Sequence, residues 1–181
     1  MGKLAGKNSR RQLSAEDTVH GAVLSVDSQE EVDFVNWACE AHRLSVIQDF
    51  QYQPPPFGLF EAVWYDDQAG KQRCLFREHV YTPDFIVQFD PQAWPQLAKE
   101  FKVPLSASRL PSVSAYLDVK GTFAQHDGGR AFSLNQKWTW QKFGVYVSKV
   151  VPKAFCRKFG VAAASMKSRL TGKVRKMFIG Y

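Results

Sequence analysis

Two short runs decide the predicted fold of this chain: YTPDF at residues 81–85 and LDVKG at residues 117–121. Each joins an apolar, strand-like segment to a carboxylate, Asp84 in the first run and Asp118 in the second. Because side chains alternate along a strand, Asp118 and Lys120 are predicted to share one face. Such a pair suits metal-assisted attack on a phosphate. The carboxylate binds a hard divalent ion, and the ammonium faces the nucleophile or the scissile phosphate.

In this order, the two runs resemble the signature of the PD-(D/E)XK nuclease superfamily. There the first acid follows a proline, as Asp84 follows Pro83, and the second belongs to an (Asp/Glu)-x-Lys triplet, as Asp118 and Lys120 do. The resemblance covers about residues 28–151. It implies an α/β fold with a restriction-endonuclease-like core, in which helices flank a central mixed β-sheet.

The same resemblance implies a Mg²⁺ site in which Mn²⁺ can substitute. Asp84 and Asp118 are the expected metal ligands, and the backbone carbonyl of Val119 is a further one. Lys120 is expected to position or deprotonate the attacking water, or to stabilise charge in the transition state. The alternative for the two acids is structural, because carboxylates at strand ends also face solvent or bond to turns.

A helix is predicted from Ser28 to about Leu44, because Ser28 as N-cap and Glu31 three residues later form a capping box. Glu31 also lies beside Phe34 on the apolar face, where an unpaired carboxylate is costly. It either closes the capping box or supplies a further carboxylate to the metal site, as a helical Glu does in several nucleases that the chain resembles. The neighbouring Glu30 is expected to be solvated.

Turns and prolines divide the rest of the chain into short elements. Apolar strands are predicted at residues 49–53, 60–65, 74–76, 80–89, 115–119 and 145–151. A flexible turn at residues 125–129 and a second helix at residues 134–142 separate the last two. Prolines in residues 91–114 rule out a continuous strand, so this segment is interpreted as an insertion, with a short helix at residues 94–101. The nuclease domain is predicted to span residues 22–152.

The positive charge of the chain is segregated toward its ends. The net charge is +7 and the pI about 9.4, which favours a polyanionic partner, most often nucleic acid. A basic protein that binds no polyanion is the alternative. Residues 1–21 are polar and basic and are interpreted as a mobile arm. Residues 153–181 contain no Asp or Glu and are predicted to be a basic extension that binds nucleic acid regardless of sequence.

Candidate phosphate contacts lie on the second helix and in the basic extension. They are Lys137, Lys142, Arg157, Lys158, Lys167, Arg169, Lys173, Arg175 and Lys176. Trp138 and Trp140 interleave with the helical lysines and could stack on bases, although tryptophans in such a pattern are more often core residues. His126 could act as an acid or contact a phosphate, but a loop histidine is more often only polar.

The cysteines and the hydropathy of the chain indicate its compartment. The three cysteines, Cys39, Cys74 and Cys156, are far apart and form no zinc spacing or disulfide framework. This suits a reducing cytoplasm, which is that of the host cell if the chain is encoded by a phage. No apolar run approaches the roughly 20 residues of a membrane span, and the first residues lack the apolar stretch of a signal peptide. No membrane partner is therefore expected.

Together these features predict a Mg²⁺-dependent DNA endonuclease that nicks DNA or selects its structure. It is similar to small nucleases and junction resolvases of phages and mobile elements, and resolvase relatives act as homodimers. Two alternatives remain: a DNA-binding protein that keeps the fold without catalysis, and an accessory protein whose basic tail binds an acidic protein partner. The interval between Asp84 and Asp118 is long for the superfamily, so the site requires residues 91–114 to loop out.

Overall fold

The computed structural model describes residues 13–92, 94, 113–121 and 128–152, with the backbone alone at residues 128–130. Its strands are β1 (Leu13–Asp17), β2 (Ala22–Val26), β3 (Ile47–Tyr52), β4 (Phe57–Phe60), β5 (Val63–Asp66), β6 (Gln72–Phe76), β7 (His79–Tyr81), β8 (Phe85–Phe89), β9 (Ser114–Val119) and β10 (Val147–Val150). Two longer helices lie in these residues, α1 (Gln29–Arg43) and α2 (Gly128–Phe143).

The central sheet has the strand order β10-β9-β8-β3. β8 runs antiparallel to both β3 and β9, and β10 runs parallel to β9. Parallel neighbours need a crossover connection, and α2 lies in the segment that joins β9 to β10. The predicted α/β class with a mixed sheet is therefore confirmed.

The sheet is covered on both faces, as β9 shows. Leu117 is fully buried in the cluster around α1, whose Phe34 and Trp37 are also fully buried. Tyr116 points the other way, into a smaller cluster that joins α2, the β4–β7 pair and the sheet. The buried members of this second cluster are Leu59, Tyr81, Phe132 and Val147. Asp118 shares the face of Tyr116 because side chains alternate along a strand.

The first helix follows the sequence prediction closely. The backbone N–H of Glu31 donates to Ser28 Oγ at 3.2 Å, which makes Ser28 the N-cap. Leu44 is the C-cap, and Ser45 follows in the left-handed region with φ of 58°. The predicted helix from Ser28 to about Leu44 is therefore confirmed, including both ends.

The predicted strand at residues 80–89 is wrong in one respect, because the chain forms two strands there. β7 ends at Tyr81 and pairs with β4, whereas β8 begins at Phe85 and pairs with β3 and β9. Pro83 lies between them and has no N–H to donate to a ladder. Asp84 therefore immediately precedes β8 instead of ending a strand.

β5 and β6 form a hairpin that leaves all of its strand residues exposed. In its turn, Asp67 accepts the N–H groups of Ala69 and Lys71, and Gly70 has φ of +71°. Trp64 is 55% exposed and Phe76 is 56% exposed. The hairpin therefore exposes apolar side chains to solvent. The sequence predicted its strands but not their exposure.

Two further expectations differ from the structure. The mobile arm at residues 1–21 is wrong from Leu13 onward, because β1 pairs with β2 and buries Ala15 and Val26 against the α1 cluster. The turn at residues 125–129 is wrong in its last two residues, because α2 already begins at Gly128. Residues 1–12, 122–127 and 153–181, and all of the predicted helix at 94–101 except Trp94, lie outside the described residues.

Candidate active site

The pairing of β8 with β9 brings Asp84 next to Asp118 and Lys120. The backbone N–H of Val119 donates to Asp84 Oδ2 at 2.6 Å. The ammonium of Lys120 contacts Asp118 Oδ1 and lies 3.9 Å from Asp84 Oδ2. The strands pair in spite of the intervening residues 91–114, so the condition that the sequence placed on this site is met.

Asp118 is the most deeply buried charge of this cluster, with 3% of its surface exposed. The Tyr81 hydroxyl donates to Asp118 Oδ2 at 2.7 Å, while Lys120 contacts the other oxygen. Burial and the Asp118 charge raise the pKa of Tyr81, so its hydroxyl keeps the proton that it donates. Partners on both oxygens offset the cost of burying the carboxylate.

The Asp84 carboxyl is less buried, and its side chain is 23% exposed. Burial, followed by the negative charge of Asp118, raises the pKa of Asp84 to about 7. The Lys120 ammonium and the N–H of Val119 act in the opposite direction, and the charge of Glu31 adds slightly to the rise. In the metal-free protein, Asp84 is therefore poised to exchange a proton near neutral pH.

Glu31 lies in a different set of hydrogen bonds. Its carboxylate accepts Ser28 Oγ at 2.9 Å, the N–H of Asp27 at 3.1 Å and the hydroxyl of Tyr52 at 2.9 Å. These contacts show that Glu31 acts at the start of the helix. In a capping box the carboxylate accepts the N–H of the N-cap residue, whereas here it accepts the N–H of Asp27, one residue earlier. Its metal-binding role stays a prediction. The charge of Glu31 contributes to the raised pKa of Asp84, and the charge of Asp84 in turn helps to raise the pKa of Tyr52, which donates its hydroxyl to Glu31.

Glu30 approaches the (Asp/Glu)-x-Lys triplet more closely than the sequence indicated. A Cβ atom built on Gly121 would lie 3.0 Å from Glu30 Oε1. The carboxylate is half-buried and lies against the residue that follows Lys120. This acid was missed in the sequence because only the neighbours of Glu30 along α1, such as Asp33, were considered. The glycine directly after the triplet was the available signal for a close approach.

The donors of this cluster fit Mg²⁺ in their chemistry. No group of three or more His, Cys, Asp or Glu side chains is arranged to hold a metal ion within the described part of the chain. Mg²⁺ nevertheless keeps several waters and is commonly bound by one or two carboxylates plus substrate oxygens. Asp84 and Asp118 could supply those two carboxylates, and the position of the Lys120 ammonium shows that a positive charge is favoured beside them.

The helical candidates for nucleic-acid contact are on the surface. Lys137 and Lys142 on α2 are exposed. Trp138 and Trp140 are each 43% exposed, so the expectation that they belong to the core is wrong. The other candidates, Arg157, Lys158, Lys167, Arg169, Lys173, Arg175 and Lys176, lie outside the described residues.

Comparison of this chain with protein-family models, with curated proteins and with solved structures found no match. Across the residues described by the structure, no helix is long and apolar enough to cross a membrane.

Proposed function

We propose that this protein is a Mg²⁺-dependent DNA endonuclease that hydrolyses phosphodiester bonds by nicking or by structure-selective cleavage. One observation carries the proposal: two strands bring Asp84, Asp118 and Lys120 into a single, largely buried cluster. The raised pKa of Asp84 is also typical of functional carboxylates.

Each residue of the cluster has a distinct role in this proposal. Asp84 and Asp118 would hold Mg²⁺, with the Val119 carbonyl as a further ligand. Bound Mg²⁺ supplies charge neutralisation at the phosphate and lowers the pKa of a coordinated water. Tyr81 fixes the orientation of Asp118 through its hydroxyl. Lys120 would turn toward the attacking water or the phosphate once its contacts with the carboxylates are released.

The fold supports this proposal. The central sheet follows the chain order α1, β3, β8, β9, α2, β10, with an antiparallel trio and a final parallel strand. Helix, strands, helix and strand is the order that the resemblance to PD-(D/E)XK nucleases implies for a restriction-endonuclease-like core. The two acids lie where β8 begins and near the end of β9, so the proposed site opens at one end of the sheet.

A cleavage assay tests the proposal directly. Supercoiled plasmid, single-stranded DNA, a four-way junction and single-stranded RNA are incubated with Mg²⁺ or Mn²⁺, and with EDTA as a blank. We expect metal-dependent cutting of DNA that Asp118→Asn reduces by about 100-fold or more, because a metal ligand is lost with little change in volume. The ranking of substrates then separates a nickase from a junction resolvase.

The control removes an exposed carboxylate on the β5–β6 hairpin. Asp66→Asn changes an acid outside both the cluster and its contacts and should leave cleavage unchanged. DNA binding without cleavage, equal in the wild type and in Asp118→Asn, would overturn the catalytic proposal and support a DNA-binding protein. The absence of any nucleic-acid binding would instead support a factor that binds an acidic protein partner.

A further inference from the structure

An open cleft of about 420 Å³ lies between β4 and α2. We call it the aromatic cleft, and its lining consists of Leu59, Phe60, Trp138, Gln141 and Lys142. Two aromatic rings, one amide and one ammonium thus surround a single space. The volume falls within the range of sites that bind small organic groups, and a few polar groups on an apolar wall are typical of them.

The rings of the aromatic cleft are accessible to solvent and held in place. Phe60 is 41% exposed and Trp138 is 43% exposed. His79 packs edge-on against Trp138 with ring centroids 5.6 Å apart, and His79 Nε2 is hydrogen-bonded to Asn135 Oδ1 at 2.8 Å. A tryptophan supported in this way can stack on a planar ligand with little ordering cost.

The charge at the aromatic cleft favours an anionic ligand. The Lys142 ammonium donates to the carbonyl of Gly58 at 2.8 Å, which ties α2 to β4 and places a cation at the wall. Lys137 is exposed one residue before Trp138. None of the lining residues that the structure describes is a carboxylate. A planar group that carries a phosphate matches this combination of rings and ammonium groups.

The aromatic cleft and the proposed active site border the same buried cluster. Leu59 lines the cleft and also packs in the same buried cluster as Tyr81. Tyr81 in turn donates its hydroxyl to Asp118. The cleft and Asp118 thus lie on the same face of the central sheet, where one nucleic-acid strand could contact both.

From these observations we infer that the aromatic cleft binds an unpaired nucleobase of the nucleic acid held at the Asp84–Asp118 site. The choice of nucleic acid as ligand rests on the proposed function. Stacking on Trp138 and Phe60 requires a free base face, which a regular duplex does not offer, whereas single strands, junctions and flipped bases do. The substrate class is then DNA with an unpaired nucleotide next to the cleaved bond.

Binding of a labelled oligothymidylate, followed by fluorescence anisotropy in EDTA, tests the inference without cleavage. We expect Trp138→Ala to raise the Kd about 5- to 100-fold, because stacking on one aromatic side chain is lost. Trp138→Phe should restore most of the affinity, because the ring is retained. Trp64→Ala is the control: it removes an exposed tryptophan on β5 that is not among the described lining residues of the cleft, and it should change the Kd less than twofold.

A second probe separates bases from phosphates. An abasic oligonucleotide of equal length keeps the phosphates, so the wild type should bind it about as weakly as Trp138→Ala binds oligothymidylate. Equal affinity of the wild type for both oligonucleotides, or equal loss in Trp138→Ala and Trp64→Ala, would overturn the inference. So would a wild-type dimer that Trp138→Ala converts to a monomer, because the cleft would then be a protein interface. Phe60→Ala repeats the test from β4 if Trp138→Ala does not fold.

The inference and the proposed function fail in different ways. Base-dependent binding in EDTA, together with no cleavage in Mg²⁺ or Mn²⁺, would support the cleft as a base-binding site and overturn the proposed nuclease activity. The opposite result is cleavage that Asp118→Asn abolishes and Trp138→Ala leaves unchanged, together with equal binding of normal and abasic oligonucleotides. It would support the nuclease activity and overturn the role of the cleft in binding a base.

Discussion

The Asp84 carboxyl is more compatible with the metal-free fold as a neutral acid than as an anion. Its pKa rises from an ordinary value of 3.8 to about 7 because of burial and the nearby Asp118. A group that holds its proton more tightly in the folded protein than in the unfolded chain favours folding at low pH. That contribution fades as the pH rises from about 4 to 7, so ionised Asp84 destabilises the metal-free protein above neutrality.

We therefore predict that Asp84→Asn abolishes cleavage but raises the stability of the metal-free protein. The shift of about three pKa units sets an upper value of about 4 kcal/mol, and we expect about 1–3 kcal/mol at pH 8 in EDTA. The gain should be smaller at pH 5, where the wild type is already protonated. Urea denaturation at both pH values measures it, with the exposed Asp66→Asn as control. A loss of stability at pH 8 would contradict this account of the site.

The cluster shows how far single residues can be assigned from sequence. Asp84, Asp118 and Lys120 could be chosen because they belong to short motifs with fixed spacing. Tyr81 could not, because its hydroxyl reaches Asp118 across 37 residues of chain, and only the pairing of strands creates that contact. Motif spacing reports local geometry, whereas the partners of a buried carboxylate are set by tertiary packing.

Helix α1 presents two consecutive acids to different surroundings. Glu31 is 7% exposed and accepts hydrogen bonds from Ser28, Asp27 and Tyr52. Glu30 is turned about 100° around the axis and lies against Gly121. If α1 contributes a charge to the chemistry, the contact with Gly121 favours Glu30 as the residue that carries it. Glu31 would then have a structural role at the start of the helix.

Amide substitutions at the two positions should separate these roles. We predict that Glu30→Gln lowers Mg²⁺-dependent cleavage about 10-fold or more at unchanged melting temperature, because the charge that lies against Gly121, directly after Lys120, is removed. Glu31→Gln should lower the free energy of unfolding by about 1–3 kcal/mol, because the amide cannot accept all three hydrogen bonds. Thermal melts and cleavage rates of both variants decide the matter. Loss of cleavage confined to Glu31→Gln, with stability intact, would restore Glu31 as the functional acid.

Elements differed in how well the sequence predicted them. α1 was predicted to its ends because its caps and its apolar face agree. β1 and β2 were missed because their short pattern is masked by the polar and basic residues around it, although Ala15 and Val26 are buried. The break between β7 and β8 follows from Pro83, but the composition of residues 80–89 alone favours one continuous strand. Short strands are fixed by their partners, which local patterns do not show.

At the scale of the whole molecule, His20 joins the β1–β2 hairpin to the central sheet. Its Nδ1 lies 2.7 Å from Asp17 Oδ2, and its Nε2 lies 2.8 Å from Asp49 Oδ1 on β3. The ring also packs edge-on against Phe50. The hydrogen bond to Asp17 raises the pKa of His20 above its usual 6.5; burial opposes this rise, and the contact with Asp49 adds to it.

The contacts of His20 with Asp17 and Asp49 should make the attachment of the β1–β2 hairpin depend on pH. A histidine whose pKa is higher in the folded protein contributes its full stabilisation below the ordinary value of 6.5. The contribution is lost as the pH rises through the higher pKa of the folded state, because the ring becomes neutral between the two carboxylates. Since His20 is 42% exposed, screening by solvent limits the effect to about 1 kcal/mol or less.

We predict that His20→Gln lowers the melting temperature by about 2 °C near pH 5.5 and by clearly less near pH 9. Asp49→Asn should show part of the same pH dependence, because it removes one carboxylate and leaves the contact with Asp17. Differential scanning calorimetry across this range measures both variants against the wild type. A deficit that grows toward high pH would mean that the neutral ring, and not the charged one, stabilises the junction. Hydrogen exchange of β1 and β2 in the same samples would show whether the hairpin opens before the central sheet.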